Sequence, residues 1–254
     1  MKGIMSIRRV VETFVFYGGL ISAGCLVPRI VLAQSVNLLE ECHKIQAAYK
    51  KAPFLSYELT YSYTPEKKQD SIYFSGRGYF KMNESNYYGI MDSTLYLQNN
   101  RYAVIVSKAE RLIHISKSDS VFPMLSSLAV FDSMVQTYKV KYSVIRTPGN
   151  KQIVIDFSTD PGLGYKDFRM DYDPASFLIK MISFTRLSEE DEGNQANRKY
   201  ITAKSVYSNY STKPFDKTVF NSDKYFVLSG NEYQAQSPFE GYEIFIASPE
   251  LIKN

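Results

Sequence analysis

Leu55-Ser56-Tyr57-Glu58-Leu59-Thr60-Tyr61-Ser62-Tyr63 carries leucine or tyrosine at every odd position and serine, threonine or glutamate at every even one. Successive side chains of an extended chain point to opposite faces, so this run reads as a strand with one apolar and one polar side. The same period returns over Ser71–Met82, where Ile72, Phe74, Phe80 and Met82 oppose Ser71, Ser75, Arg77 and Lys81. Gly76 and Gly78 interrupt its apolar side, and glycines there mark a bulge, a bend or the close approach of another group.

Working outward, further strands are predicted at Tyr87–Met91, Leu95–Gln98, Tyr102–Ser107 and Arg111–Ser116, with Asn99-Asn100 and Lys108-Ala109-Glu110 as tight turns. Neighbours this close in sequence pair antiparallel, because a parallel crossover needs about a dozen connecting residues. Alternation resumes at Tyr138–Arg146, Gln152–Thr159, Tyr165–Tyr172, Phe177–Leu187 and Tyr200–Tyr210, then shortens near Tyr225–Leu228 and Tyr242–Ala247.

Two stretches switch to a helical period. Over Asn37–Lys50, Leu38, Cys42, Ile45 and Tyr49 fall on one stripe, with Asn37 suited to start the helix and Pro53 to stop it. Over Phe122–Val135, Phe122, Leu125, Leu128, Phe131 and Val135 recur at helical spacing behind Pro123. The expected fold is mainly β with some α. About ten antiparallel strands must twist and curl, giving one curved sheet or half-open barrel whose concave face the two helices cover. No linker rich in Pro, Gly or Ser divides the chain, so residues 34–254 are expected to form one domain. The acidic tract within Ser188–Arg198 reads as a solvated hairpin tip.

With 44% hydrophobic, 22% charged and 15% aromatic residues, the chain is not a disordered or collagenous one. Its net charge of +4 is concentrated at the front. Residues 1–33 hold four bases (Lys2, Arg8, Arg9, Arg29) and one acid (Glu12), so 26 bases and 25 acids remain and the body carries +1. Such a body has no electrostatic footprint for nucleic acid.

The front itself resembles an export signal. Lys2, Arg8 and Arg9 precede an uncharged stretch Thr13–Pro28, followed by Val31-Leu32-Ala33 as a small-residue cleavage pattern. Cleavage there would release a periplasmic or envelope protein beginning at Gln34. Two alternatives stay open: an uncleaved anchor helix, and cleavage before Cys25 with lipidation, since Ser22-Ala23-Gly24-Cys25 is similar to the end of a lipobox. Removal of Cys25 leaves Cys42 alone, so no internal disulfide is expected.

No catalytic or metal site is legible. His43 and His114 lack metal-ligand spacing, Asp167, Asp171 and Asp173 share one strand face with Arg169 between them, and no nucleophile elbow, phosphate loop, dinucleotide fingerprint or zinc helix occurs. No cofactor is expected.

The order of parts resembles the LolA-like superfamily of periplasmic lipoprotein carriers. The likeness runs through the leading helix, Leu55–Tyr61, Gly76-Arg77-Gly78-Tyr79-Phe80-Lys81-Met82 and the hairpin Asp173-Pro174-Ala175-Ser176-Phe177-Leu178-Ile179-Lys180-Met181. The chain departs from that family in having no proline ahead of Phe80 and no tryptophan. The resemblance implies a half-open antiparallel barrel with helices as a lid.

The expected function is a non-catalytic, monomeric carrier for a lipid or lipoprotein acyl chain. Its candidate lining is Leu59, Tyr61, Phe74, Phe80, Met82, Leu128, Phe131, Ile155, Phe157, Met170, Ile182 and Phe184. The alternative is an envelope module that binds a protein partner through a tyrosine patch including Tyr87, Tyr88, Tyr207 and Tyr210. A hydrolase would require two carboxylates, or His114 and an acid, in one cleft.

Overall fold

A computed structural model describes residues 37–67, 71–118, 140–157, 164–188 and 199–251. The expected helix over Phe122–Val135, most of the acidic tract and the amino-terminal 33 residues lie outside them.

The leading helix α1 spans Leu38–Lys51. Asn37 caps it, its side-chain oxygen accepting the Leu39 N–H at 3.1 Å, and Glu40, Glu41, Lys50 and Lys51 place charge in the sense the helix dipole favours. Leu38, Cys42, Ile45 and Tyr49 are buried, as the stripe predicts.

The strands are β1 (Leu55–Pro65), β2 (Phe74–Asn83), β3 (Asn86–Met91), β4 (Thr94–Gln98), β5 (Tyr102–Ser107), β6 (Leu112–Lys117), β7 (Lys141–Thr147), β8 (Asn150–Asp156), β9 (Tyr165–Tyr172), β10 (Ile179–Leu187), β11 (Tyr200–Ser211), β12 (Phe226–Ser229), β13 (Glu232–Ala235) and β14 (Glu243–Ile246). Among the described residues, twelve of them form one curved, open sheet in the order β14-β6-β5-β4-β3-β2-β1-β11-β10-β9-β8-β7, and β12 and β13 form a separate hairpin. Every neighbouring pair is antiparallel except β14 on β6, which is parallel over Glu243–Ile246 and Leu112–Ile115. That exception obeys the connection rule: the chain between β6 and β14 far exceeds the dozen residues a parallel crossover requires.

Residues directly opposite in a ladder share a face, so the register sorts the side chains. One row runs Tyr57–Phe80–Gly89–Tyr96–Ile105–His114 across β1 to β6. This inner face is the one that α1 covers, and the core beneath the helix includes Tyr57, Phe80, Met82, Ile153, Ile155, Phe168, Met170 and Tyr172. On the opposite, outer face, Leu95, Leu97, Val104, Val106, Ile113 and Ile115 form a second core with Tyr225, Phe226 and Phe239. The β12–β13 hairpin contributes to that core, with Tyr102 meeting Phe226 edge-on at 5.2 Å. Apolar cover is therefore needed on both sides of the sheet: helix on one part of the inner face, hairpin on one part of the outer.

Two local devices shape the inner face. Glycines admit aromatic rings: a Cβ on Gly89 would stand 2.2 Å from the Phe80 ring, and one on Gly76 would stand 2.6 Å from that of Tyr61. Of the readings open for glycine in a strand, close approach is the one realised. In β11 a bulge places three steps of that strand, from Ser208 to Ser211, against two steps of β1, from Glu58 to Ser56, with Asn209 at φ +54°. The extra residue breaks the period of two, so Tyr207 and Tyr210 both reach the Tyr57 ring, at 5.8 and 5.4 Å.

Candidate functional site

The inner face divides into a part sealed by α1 and a part beyond it. Under α1 the polar groups are closed off. The Ile179 N–H donates to the Tyr49 hydroxyl at 3.1 Å, Tyr49 to Tyr210 at 2.6 Å and Tyr210 to the Ile179 carbonyl at 2.7 Å. Every member of this ring both gives and receives. Burial pushes the Tyr49 hydroxyl up to about 12, so it is a neutral donor at any physiological pH.

One end of α1 is held as firmly. Glu41 is buried, with Lys151 Nζ at 2.7 Å, Lys44 Nζ at 3.2 Å and the Tyr172 hydroxyl on the same oxygen as Lys151. Burial alone would raise its pKa, but the bonds from Lys151, Tyr172 and Lys44 together bring it below its ordinary value. A helix tied by a buried ion pair and by the tyrosine ring is a fixed cap over its part of the sheet.

Beyond the helix the register lays out a trough along β11. Tyr61 stands opposite Ser205 and Ser205 opposite Ile182; Tyr63 stands opposite Ala203 and Ala203 opposite Phe184. Small side chains thus form the floor, Ala203 buried and Ser205 half-buried, while Tyr61 and Tyr63 from β1 and Ile182 and Phe184 from β10 form the walls. Strands lie about 4.8 Å apart, so the walls are about 10 Å apart at the backbone. Tyr207, opposite Leu59, closes the trough at its α1 end. At the other end stand Ile72, Tyr73 and Phe74, exposed by 61, 67 and 49%.

Beside Tyr61 the wall carries a charge. The Tyr61 hydroxyl donates to Asp92 Oδ2, and the Arg77 N–H donates to Oδ1 at 3.2 Å. Asp92 sits in the two-residue turn between β3 and β4 at φ +52°, and its own N–H donates to the Arg77 carbonyl at 3.1 Å. Burial first pushes both the Tyr61 and Tyr96 hydroxyls up, followed by the hydrogen bond to Asp92 for Tyr61 and the Asp92 charge for Tyr96, which reaches about 12.

Of the expected lining residues, Leu59, Ile182 and Phe184 are half-buried and pack against the margin of the core under α1, Tyr61 is half-buried beyond it, and Phe74 is exposed. Phe80, Met82, Ile155, Phe157 and Met170 are buried in the core cluster under α1, and Leu128 and Phe131 lie outside the described residues. Tyr63, Tyr96, Tyr207, Ala203, Ser205 and Asp92 complete the geometry and were not singled out as lining from sequence. Only cross-strand register assembles them. The four tyrosines expected as one binding patch do not share a face: Tyr88 belongs to the outer core, while Tyr87, Tyr207 and Tyr210 pack against the inner one.

The other polar candidates stand apart. Asp167 and Asp171 lie on the outer face with Arg169, Asp171 accepting Gln152 Nε2 at 2.6 Å. Asp173 caps its turn through the N–H groups of Ser176 and Ala175, which hold its carboxyl at about 2. His114 stacks on Phe245 with ring centres 5.3 Å apart, and burial lowers its pKa. Among the described residues no group of three or more His, Cys, Asp or Glu is placed to hold a metal ion, and no helix is long and apolar enough to cross a membrane.

No family model matches the chain, and no curated protein matches it in sequence. Several solved structures are similar in layout. An uncharacterized conserved protein from Thermus thermophilus is 6% identical with a TM-score of 0.46, covering 82% of this chain and 98% of that one. A LolA superfamily protein from Nitrosomonas europaea is 9% identical with a TM-score of 0.34, covering 74% and 99%. An outer membrane lipoprotein-sorting protein domain from Vibrio parahaemolyticus is 13% identical with a TM-score of 0.34, covering 73% and 96%. Likeness at these values carries neither a family nor a function to this chain.

Proposed function

We propose that residues 34–254 form an exported, non-catalytic carrier that shelters an acyl chain or similar apolar ligand in the β11 trough, and that residues 1–33 are its removable signal. The observation that carries this reading is the trough: a floor of Ala203 and Ser205 between walls of Tyr61, Tyr63, Ile182 and Phe184, beside a helix too firmly tied to fill it. Each methylene withdrawn from water contributes about 0.8 kcal/mol, so about ten of them supply roughly 8 kcal/mol without any specific polar contact.

Mass spectrometry of the protein purified from an envelope fraction tests the reading, together with titration by a fluorescent fatty acid. A mature chain starting at Gln34 that carries lipid, or takes up the probe with a Kd of about micromolar, is the expected result. A protein that comes without lipid and ignores the probe overturns it. A protein-binding module is the second reading, favoured by β7, an edge strand among the described residues, where Tyr142 and Ile145 are exposed; it predicts one stoichiometric partner protecting β7 from hydrogen exchange.

A further inference from the structure

Resting on the trough reading, we propose that Asp92, with the rings of Tyr61, Tyr63 and Phe74 and the nearby Tyr96, is a recognition point for an alkylammonium group, so that the ligand is an amphiphile with a cationic head. Three aromatic rings stand together at this point. Tyr61 lies 6.2 Å from Tyr63 and 5.7 Å from Phe74, and Tyr63 lies 6.4 Å from Phe74. Their planes meet at 83, 50 and 41°, so they present a corner of ring faces and edges rather than a flat stack. Faces so arranged attract an ammonium through the ring quadrupole, and a carboxylate beside them supplies the counter-charge.

The carboxylate is built in. Asp92 is exposed, is oriented by the Tyr61 hydroxyl and the Arg77 N–H, and makes no ion pair among the described residues. Arg77 itself stands on the outer face, between Gly76 and Gly78. Gly76 leaves the room the arrangement needs: its missing Cβ would lie 2.5 Å from Asp92 Oδ2 and 2.6 Å from the Tyr61 ring. Tyr61 belongs both to this corner and to the wall of the trough, so a head at Asp92 sends its tail past the Tyr61 ring into the trough at Ser205. A body of net charge +1 attracts no cation by its overall field, so a preference for cations must be local.

Calorimetric titration with decyltrimethylammonium, decanol and decanoate, each below its micelle concentration, tests this on the mature protein. The expected order is cationic over neutral over anionic, with the cation about tenfold tighter than the alcohol. Asp92→Asn keeps an oxygen for the Arg77 N–H and offers its amide N–H to the Tyr61 hydroxyl, and should erase that preference while leaving decanol affinity within about twofold. Glu58→Gln, on the outer face, should change neither. Equal binding of cation and alcohol, or a preference that survives Asp92→Asn, overturns the ammonium site and leaves the carrier reading standing. If none of the three amphiphiles binds, both fall.

Discussion

The hydroxyls of Tyr49 and Tyr210 lie 2.6 Å apart, joining the helix to the central strand β11 across 161 residues of sequence. Because Ile179 closes the ring through both its N–H and its carbonyl, removing either hydroxyl leaves a buried group unpaired.

Tyr49→Phe should therefore destabilise the protein by about 1–3 kcal/mol, the cost of orphaning the Ile179 N–H and leaving the Tyr210 oxygen without its donor. A double-mutant cycle with Tyr210→Phe in urea should show a coupling of about 1 kcal/mol or more. Additive effects would mean that the ring is not a unit.

Glu41 gives the helix a pH dependence of definite sign. Its folded pKa lies below the ordinary 4.5, so the stabilisation is complete above pH 4.5 and is lost as pH falls through the lower folded value. Glu41→Gln should cost about 2–3 kcal/mol at neutral pH, since it leaves Lys151 without its counter-charge, and should flatten stability in the window just below pH 4.5. Chemical denaturation of both proteins between pH 3 and 7 is the check.

Gly89 and Gly149 should respond to alanine for different reasons. At Gly89 the new methyl meets the Phe80 ring at 2.2 Å and must displace it from its stacking on Tyr57 and Tyr87, a cost of about 2–3 kcal/mol. At Gly149 nothing lies within 4 Å, but φ is +70°, so the cost is backbone strain of about 1 kcal/mol. Thermal melts should rank the two in that order.

Filling the trough should separate binding from stability. Ser205→Leu puts a branched side chain between Tyr61 and Ile182, where the residue is only half-buried. Fatty-acid probe affinity should drop at least about tenfold, with stability within about 0.5 kcal/mol of the parent. A parent-like affinity would place the ligand elsewhere.

The strands from Tyr57 to Tyr210 were legible because their period of two is a local property, and α1 because Asn37, its stripe and Pro53 mark both ends. What was not legible depends on register. Alternation names the apolar side of each strand without saying which sides coincide, so the flip that gives β4–β6 an outer core around Leu97 and Val104 left no trace. Nor does Asp92 announce itself: an aspartate in a two-residue turn is ordinary, and its partnership with Tyr61 spans 31 residues. The bulge at Asn209 is equally silent, since Tyr207 and Tyr210 look like a lapse in the pattern until both are found on the Tyr57 ring. The two expected lining residues in the helical stretch, Leu128 and Phe131, fall outside the described residues.

The parallel seating of β14 on β6 has a consequence for biogenesis. Residues 112–115 emerge from the ribosome long before their partners at 243–246, so one margin of the growing sheet stays bare through most of synthesis. The β1 margin waits likewise for β11. Nascent chains of this design expose two hydrogen-bonding rims at once, the condition under which unfinished sheets stick to one another, and holding the chain unfolded until it is fully delivered removes that hazard.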